Sequence, residues 1–270
     1  MNNPRTEHRF ELELVVPGTT EQVWRAIASA EGISAWMTPT DLDARVGGGL
    51  VFHMGPGPDD VSRGMVTAFD PAQRFAYEED WATLTGHGGA DVTPLATEFL
   101  VEASSGGTCV VRVVTSAFGE GAEWEHEFFD EMTSGWGAIL DNLRLYLTHF
   151  PGQTVAPMGA SAPVTGEPDD AIVAVRDALD VADVGDPVDT LGIEGRLERS
   201  IPQHLLVLVD RPVAGLLSFF AYGGEGGSGI QMQGHVFGEH AAAWVEREQP
   251  RWQAWLDTIT RTDAEERASA

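Results

Sequence analysis

Residues 64–75 read GMVTAFDPAQRF, and residues 195–206 read GRLERSIPQHLL. In each stretch a glycine stands seven positions before a proline (Gly64 and Pro71, Gly195 and Pro202), with strand-forming residues on both sides. Two further likenesses follow in the same order. Gly106-Gly107-Thr108 leads to Phe118-Gly119-Glu120, and Gly226-Gly227-Ser228 leads to Phe237-Gly238-Glu239. Trp136-x-Ala138-Ile139-Leu140-Asp141-x-Leu143 is echoed by Trp252-x-Ala254-Trp255-Leu256-Asp257-x-Ile259. Ordered and similarly spaced matches indicate two diverged copies of one domain. The period exceeds a hundred residues, so the copies are tandem domains rather than solenoid repeats.

A length of 270 residues agrees with about two domains. The hydrophobic fraction of 43% and the 8 tryptophans supply ample core material. The formal net charge is −26. Nucleic-acid affinity depends on cations that neutralise phosphates, so no nucleic-acid partner is expected. An anionic membrane surface is disfavoured for the same reason. All 16 basic residues are Arg, which removes a Schiff-base lysine and a phosphate-loop lysine from consideration. With the single Cys109, no disulfide can form within the chain. The start, Met1 onward, is polar and charged, and no run approaches the roughly 18 apolar residues of a membrane span. The expected location is cytoplasmic.

Alternation of Phe10, Leu12, Leu14 and Val16 with Arg9, Glu11 and Glu13 predicts a half-buried strand. Thr20 is placed to cap a helix in which Val23, Trp24 and Ile27 share a face, and residues 34–37 read as a second short helix. Strands follow at 41–46, 50–54, 64–69, 74–79, 97–103 and 108–118, separated by turn residues. Residues 123–149 carry Trp124, Phe128, Met132, Trp136 and Leu143 at helical spacing, in a helix roughly 40 Å long. Residues 151–168 lack periodicity and read as a linker. Beyond it come a helix at 169–182, strands near 189–194, 196–201, 204–210, 214–222 and 229–237, and a last helix at 239–262. The second copy is expected to lack a clear first strand and to fill its interior with Trp244, Trp252 and Trp255.

Strand, two small helices, antiparallel strands, long helix is the helix-grip order. Pro17 with Gln22-Val23-Trp24, Trp36-Met37, Gly64 before Asp70-Pro71, Gly107-Thr108, and Gly135-Trp136 with Leu140 and Leu143 resemble the START-like SRPBCC superfamily. The nearest branch is that of the activator of the heat-shock-protein-90 ATPase. The resemblance spans about residues 9–149 and reaches the second half only through the repeat. It implies an α+β fold in two tandem copies, each a curved antiparallel sheet wrapped around a long C-terminal helix with a cavity between. The expected division is a helix-grip domain over 1–150, the linker at 151–168 and a truncated second domain over 169–270.

Members of the superfamily bind apolar ligands, serve as co-chaperones, or cyclise or hydrolyse small molecules, and fold alone does not choose among these. Strand parity and helix spacing place Trp36, Phe52, Met54, Met65, Tyr77, Phe99, Phe128, Met132 and Trp136 on one apolar wall. Such a wall lines a pocket or fills a core, and the resemblance favours the pocket. Thr67 and Phe69 are expected to face inward beside Met65. Tyr77 is the titratable group that parity puts inside, with Glu79 beyond it at the strand end. Glu98 and Arg112 are placed to pair across strands. His53 and His126 read as surface residues, and His87 as part of an exposed loop. No cluster has metal-ligand spacing, so neither metal nor cofactor is expected. The expected function is non-catalytic binding of a small apolar molecule. The alternatives are an enzyme of the cyclase or hydrolase kind, or a co-chaperone-like module with a protein partner. That co-chaperone carries a partner-binding domain ahead of its helix-grip strand, and this chain opens at the strand itself, which favours the ligand-binding expectation.

Overall fold

The structure, a computed structural model, describes residues 5–55, 57, 59–223 and 228–268, except the side chains of residues 84 and 262–268. Gly226 and Gly227 of the repeat lie outside these residues. The chain divides into two compact units, Met1–Gly152 and Gln153–Ala270.

The first unit runs β1 (Thr6–Pro17), α1 (Thr20–Ile27), α2 (Ala30–Ser34), β2 (Thr40–Leu42), β3 (Gly49–His53), β4 (Val61–Asp70), β5 (Arg74–Glu79), α3 (Trp81–Leu84), β6 (Leu95–Ala103), β7 (Thr108–Gly119) and α4 (Glu123–His149). Its strands form one antiparallel sheet in the order β1-β7-β6-β5-β4-β3-β2. α4 packs on the inner face: Trp136 meets Phe99 with ring centroids 5.7 Å apart, and Phe129 meets Phe10 at 6.2 Å. Thr19, one residue before the expected cap, starts α1 through a capping box with Gln22. The second short helix ends before Trp36, whose Nε1–H donates to the Ala26 carbonyl at 2.9 Å.

The second unit runs β8 (Val155–Val164), α5 (Pro168–Ala178), β9 (Pro187–Thr190), β10 (Ile193–Ile201), β11 (His204–Arg211), β12 (Gly215–Tyr222), β13 (Ser228–Phe237) and α6 (Ala241–Ala268). Its antiparallel sheet has the order β8-β13-β12-β11-β10-β9, with α6 packed on β8 and β13. This is the first sheet with one strand fewer. Both units are helix-grip domains, and the class is α+β.

The stretch 151–168 is not a linker throughout. Residues 155–164 form β8, which pairs with β13 as β1 pairs with β7. The second copy therefore has its first strand. Ala156, Met158, Ala160 and Ala162 point inward, and the residues between them are exposed. Small alanines and two prolines hide this alternation from a propensity reading. Pro157 and Pro163 are tolerated because β8 is an edge strand, where a missing N–H can face outward.

The two glycines of the opening stretches hold equivalent places. A Cβ on Gly64 would stand 2.6 Å from the Glu78 carbonyl oxygen, and one on Gly195 would stand 2.2 Å from that of Leu208. Each strand then bulges at the same distance beyond its glycine, between Val66 and Ala68 and between Leu197 and Arg199. A bulge changes side-chain parity along a strand. Hence Val66 faces inward opposite Tyr77, and after the bulge Phe69 faces inward opposite Phe75. Met65 and Thr67, expected to face in with Phe69, are exposed.

In the second unit Trp244, Trp252 and Leu256 are buried with Leu217, Phe219 and Val207 in one continuous core. Trp252 lies 5.3 Å from Trp255 and 6.4 Å from Phe219. The tryptophans fill this domain between sheet and helix.

Candidate functional site

The inner face of the first sheet is built in rows. One row holds Leu12, Val113, Phe99, Phe75 and Phe69. The next holds Phe10, Thr115, Thr97, Tyr77 and Val66, and the one nearest the start of α4 holds His8, Ala117, Leu95, Glu79 and Gly64. Polarity thus rises along the face, from an all-apolar row to rows with hydroxyls and a carboxyl.

Four of the expected wall residues, Trp36, Phe52, Tyr77 and Phe99, come together with Ile27, Ile33, Met37 and Phe75. Trp136 closes over Phe99 from α4. No space large enough to hold a water molecule is left among the first eight. In this conformation the wall is a filled core. Phe128 and Met132 belong elsewhere, packed on a second cluster of Trp81, Leu95, Ala117 and Phe129. Trp81, at the start of α3, is fully buried there, its Nε1–H donating to the Thr93 carbonyl at 2.8 Å. Met54 and Met65 do not join either cluster and are each 51% exposed. Met54 lies past the end of β3, and Met65 lies on the outward parity of β4.

Open space lies beside Glu79. A cleft of ≈ 380 Å³ runs between the ends of β4 and β5 on one side and α3 with residues 89–94 on the other. Met65, Trp81, Val92 and Pro94 give it apolar walls, while Arg63, Glu78, Glu79 and Asp80 are its charged residues. Its size is that of a small-molecule site. Gly64 makes room for Glu79, whose Cγ would be 3.2 Å from a Cβ there. Ser62, on the inward parity of β4, donates its hydroxyl to Glu79 Oε1.

Burial pushes the Glu79 carboxyl up to about 7, against the lowering effect of the Ser62 hydroxyl. Burial, and then the charge of Glu79, hold the Tyr77 phenol well above its ordinary value, against a hydrogen bond with Thr97. Thr97 Oγ1 lies 3.3 Å from Thr115 Oγ1. Chemically this is a carboxyl poised to exchange a proton near neutrality, next to hydroxyls that remain neutral.

A second buried polar pair fixes the start of α4. His8 Nε2 lies 2.8 Å from Glu125 Oε2, and the Glu125 carboxylate accepts the Glu120 and Gly121 N–H groups at 3.1 and 3.0 Å. Burial alone would raise this carboxyl. The Gly121 N–H, His8 and the Glu120 N–H outweigh it and hold the group below its ordinary value. With its oxygens engaged, this pair reads as a latch. Extending the β1 alternation by one step back from Phe10 would have found His8. The same parity step finds Thr97 between Leu95 and Phe99, Thr115 between Val113 and Ala117, and Ser62 two before Gly64.

The remaining candidates are on the surface. His53 pairs with Asp41 at 2.9 Å, and His126 is exposed. His87 stacks on Trp124 with centroids 4.1 Å apart, which ties its loop to α4. Glu98 pairs with Arg74, and Arg112 binds Glu13 at 2.8 Å instead of Glu98. Among the described residues no group of three His, Cys, Asp or Glu is placed to hold a metal ion, and no helix is long and apolar enough to cross a membrane.

A helix-grip domain with a cleft at the strand ends is the class this geometry defines. Residues 18–148 match the family of Activator of Hsp90 ATPase homolog 1-like proteins. The first domain belongs to that family, within the SRPBCC superfamily. Domains of this kind typically bind small apolar ligands. The chain is similar to the Aha1 dimer from Colwellia psychrerythraea, at 18% identity and a TM-score of 0.42, over 54% of this chain and 99% of that one. It is similar over its whole length to the di-domain ARO/CYC BexL of the BE-7585A biosynthetic pathway, at 13% identity and a TM-score of 0.42, over 97% of this chain and 99% of that one. It is likewise similar to DynU16 from the dynemicin biosynthetic locus, at 17% identity and a TM-score of 0.42, over 96% of this chain and 98% of that one. No curated protein matches the sequence.

Proposed function

We propose that the first domain binds one small apolar molecule, seated in the cleft beside Glu79 against Trp81, Met65 and Val92. The observation that carries this reading is the cleft itself, about 380 Å³ of space with apolar walls, in a domain of a ligand-binding class. The aromatic wall of Trp36, Phe52, Tyr77, Phe99 and Trp136 lies deeper, as the apolar floor that a larger ligand would engage by displacing Trp81. Phe128 and Met132 support Trp81 from α4. The second domain, whose interior is filled by tryptophans, has no ligand in this reading. Binding leaves the ligand chemically unchanged.

The test is titration of the whole chain with N-phenyl-1-naphthylamine, a neutral dye that brightens in apolar surroundings. One saturable site per chain is expected. Ala90→Trp, which puts bulk at the rim of the cleft, should weaken it at least about tenfold. Unsaturable binding, or binding untouched by Ala90→Trp, would sink the reading.

Glu79 favours a second reading, acid–base catalysis on a small molecule. Its carboxyl, raised to about 7, suits a general base at neutral pH. Turnover of a bound ligand that Glu79→Gln abolishes without loss of binding would establish it.

A further inference from the structure

From the two glycines onward the inner faces of the two domains correspond residue by residue, because their registers agree there; β10 and β11 carry a further irregularity between Glu194 and Gly195. Gly64 pairs with Glu79, and Gly195 with Val209. Val66 pairs with Tyr77, and Leu197 with Val207. One strand further, Tyr77 faces Thr97 where Val207 faces Leu217. Thr97 then faces Thr115 where Leu217 faces Gly234. Two residues before the glycines, Ser62 corresponds to Ile193.

Each of these five polar groups of the first domain's inner face is therefore matched by an aliphatic residue or a glycine in the second. Ile193, Val207, Val209 and Leu217 belong to a continuous buried core. The fold does not need the polar groups. A buried carboxyl costs desolvation free energy, and aliphatic replacement of a whole polar set is commonly neutral or stabilising. Their presence beside the cleft calls for a use.

Glu79 supplies one. Ser62 occupies Oε1, and Oε2 accepts no hydrogen bond from the described residues. The neighbouring acids do not converge on it. Asp80 is turned to the Thr83 N–H and hydroxyl, and Glu78 has the opposite strand parity. Of the three carboxylates that line the cleft, Glu79 is the one on the inward parity of its strand, and it keeps one acceptor open.

We propose that Ser62 and Glu79, backed by Tyr77, form the recognition site for the ligand's polar head, and that this head is a hydroxyl: the ligand is a phenol or alcohol on an apolar ring system. The hydroxyl donates to Glu79 Oε2. An anionic head is repelled by the same oxygen, and an unfunctionalised hydrocarbon leaves it unpaired. This deepens the binding reading and rests on it.

The experiment compares 2-naphthol, naphthalene and 2-naphthoate as competitors of N-phenyl-1-naphthylamine on the whole chain, at about pH 8, above the Glu79 transition at about 7. 2-Naphthol should bind at least about tenfold more tightly than naphthalene, as expected for a hydrogen bond to a charged acceptor, and 2-naphthoate should bind most weakly. Glu79→Val installs the residue of the second domain. It should remove the advantage of naphthol over naphthalene. Should Glu79→Val fail to fold, Glu79→Gln carries the test, and an undiminished naphthol advantage in it overturns the assignment. Equal binding of naphthol and naphthalene to the parent chain also overturns it, while apolar binding stands. If none of the three displaces the dye, both readings fall.

Discussion

On β5 the inward residues are Phe75, Tyr77 and Glu79; at the same register positions on β11 they are Leu205, Val207 and Val209. The backbone solution is shared down to the glycine that admits a close strand and the bulge beyond it. The side chains diverge. The second domain spends these positions on burying apolar area, which stabilises by about 25 cal/mol per Å². The first keeps the Tyr77 hydroxyl and the Glu79 carboxyl there, at a cost in desolvation. Local departures from the most stable choice are expected where a site must do something other than fold, and here the sister domain supplies the reference.

The largest effect should come from moving the first domain's carboxyl into the second. Val209→Glu meets Ile193 where Glu79 meets Ser62, so the group is buried with no donor. A loss of about 4 kcal/mol is expected in urea unfolding at neutral pH. A loss under about 1 kcal/mol would mean the second interior already accommodates polarity, and the contrast would collapse.

Next comes a difference in pH response. His204 on β11 is buried against Phe220, with neither ring nitrogen hydrogen-bonded among the described residues. Burial, and then the Arg199 charge, lower it to about 3. A lowered value means the unfolded chain takes up the proton first. The contribution is present above the ordinary value of 6.5 and is lost as pH falls from there toward 3. Between about pH 6.5 and 4 the loss should be about 3 kcal/mol, and His204→Leu should flatten it. An unchanged slope in that variant would assign the acid sensitivity elsewhere.

Glu79 has the opposite sign and the smallest effect. Its value is raised from 4.5 to about 7, so the folded state holds its proton longer than the unfolded state. Stability is full below about 4.5 and declines as pH rises through 7. The half-buried position discounts the linkage to about 1–2 kcal/mol. Glu79→Val should stabilise the first domain by that amount above neutrality and leave it unchanged at about pH 4. Destabilisation at all pH values would mean the carboxyl is structural after all.

Much of the fold was legible because its signals are local. The seven-residue step from Gly64 to Pro71 and from Gly195 to Pro202 reports a strand that must approach its partner closely and a turn that must follow. The helical spacing from Trp124 to Leu147 gave α4 its observed limits. β8 escaped because its inward set is mostly alanine, which carries little strand signal, and because its prolines argue against a strand until its edge position is known. Met65 was assigned to the wrong face because a bulge is a property of two paired strands. Nothing in residues 61–70 alone says that Thr67 is the extra residue.

The sequence by itself determined two copies of an α+β helix-grip domain, an acidic chain, and Tyr77 and Glu79 on one side of one strand. The duplication follows from the ordered internal matches, the acidity from composition, and the strand faces and helices from periodicities of two and 3.6 residues, while the helix-grip class follows from the order of elements and the family resemblance. Only the tertiary structure decided that the aromatic wall is filled, that Trp81 seals the end of α4, and that space remains beside Glu79. Free volume, the raised carboxyl and the matching of Glu79 to Val209 are pairwise and collective quantities. They exist only once distant strands are brought into register and side chains compete for the same interior.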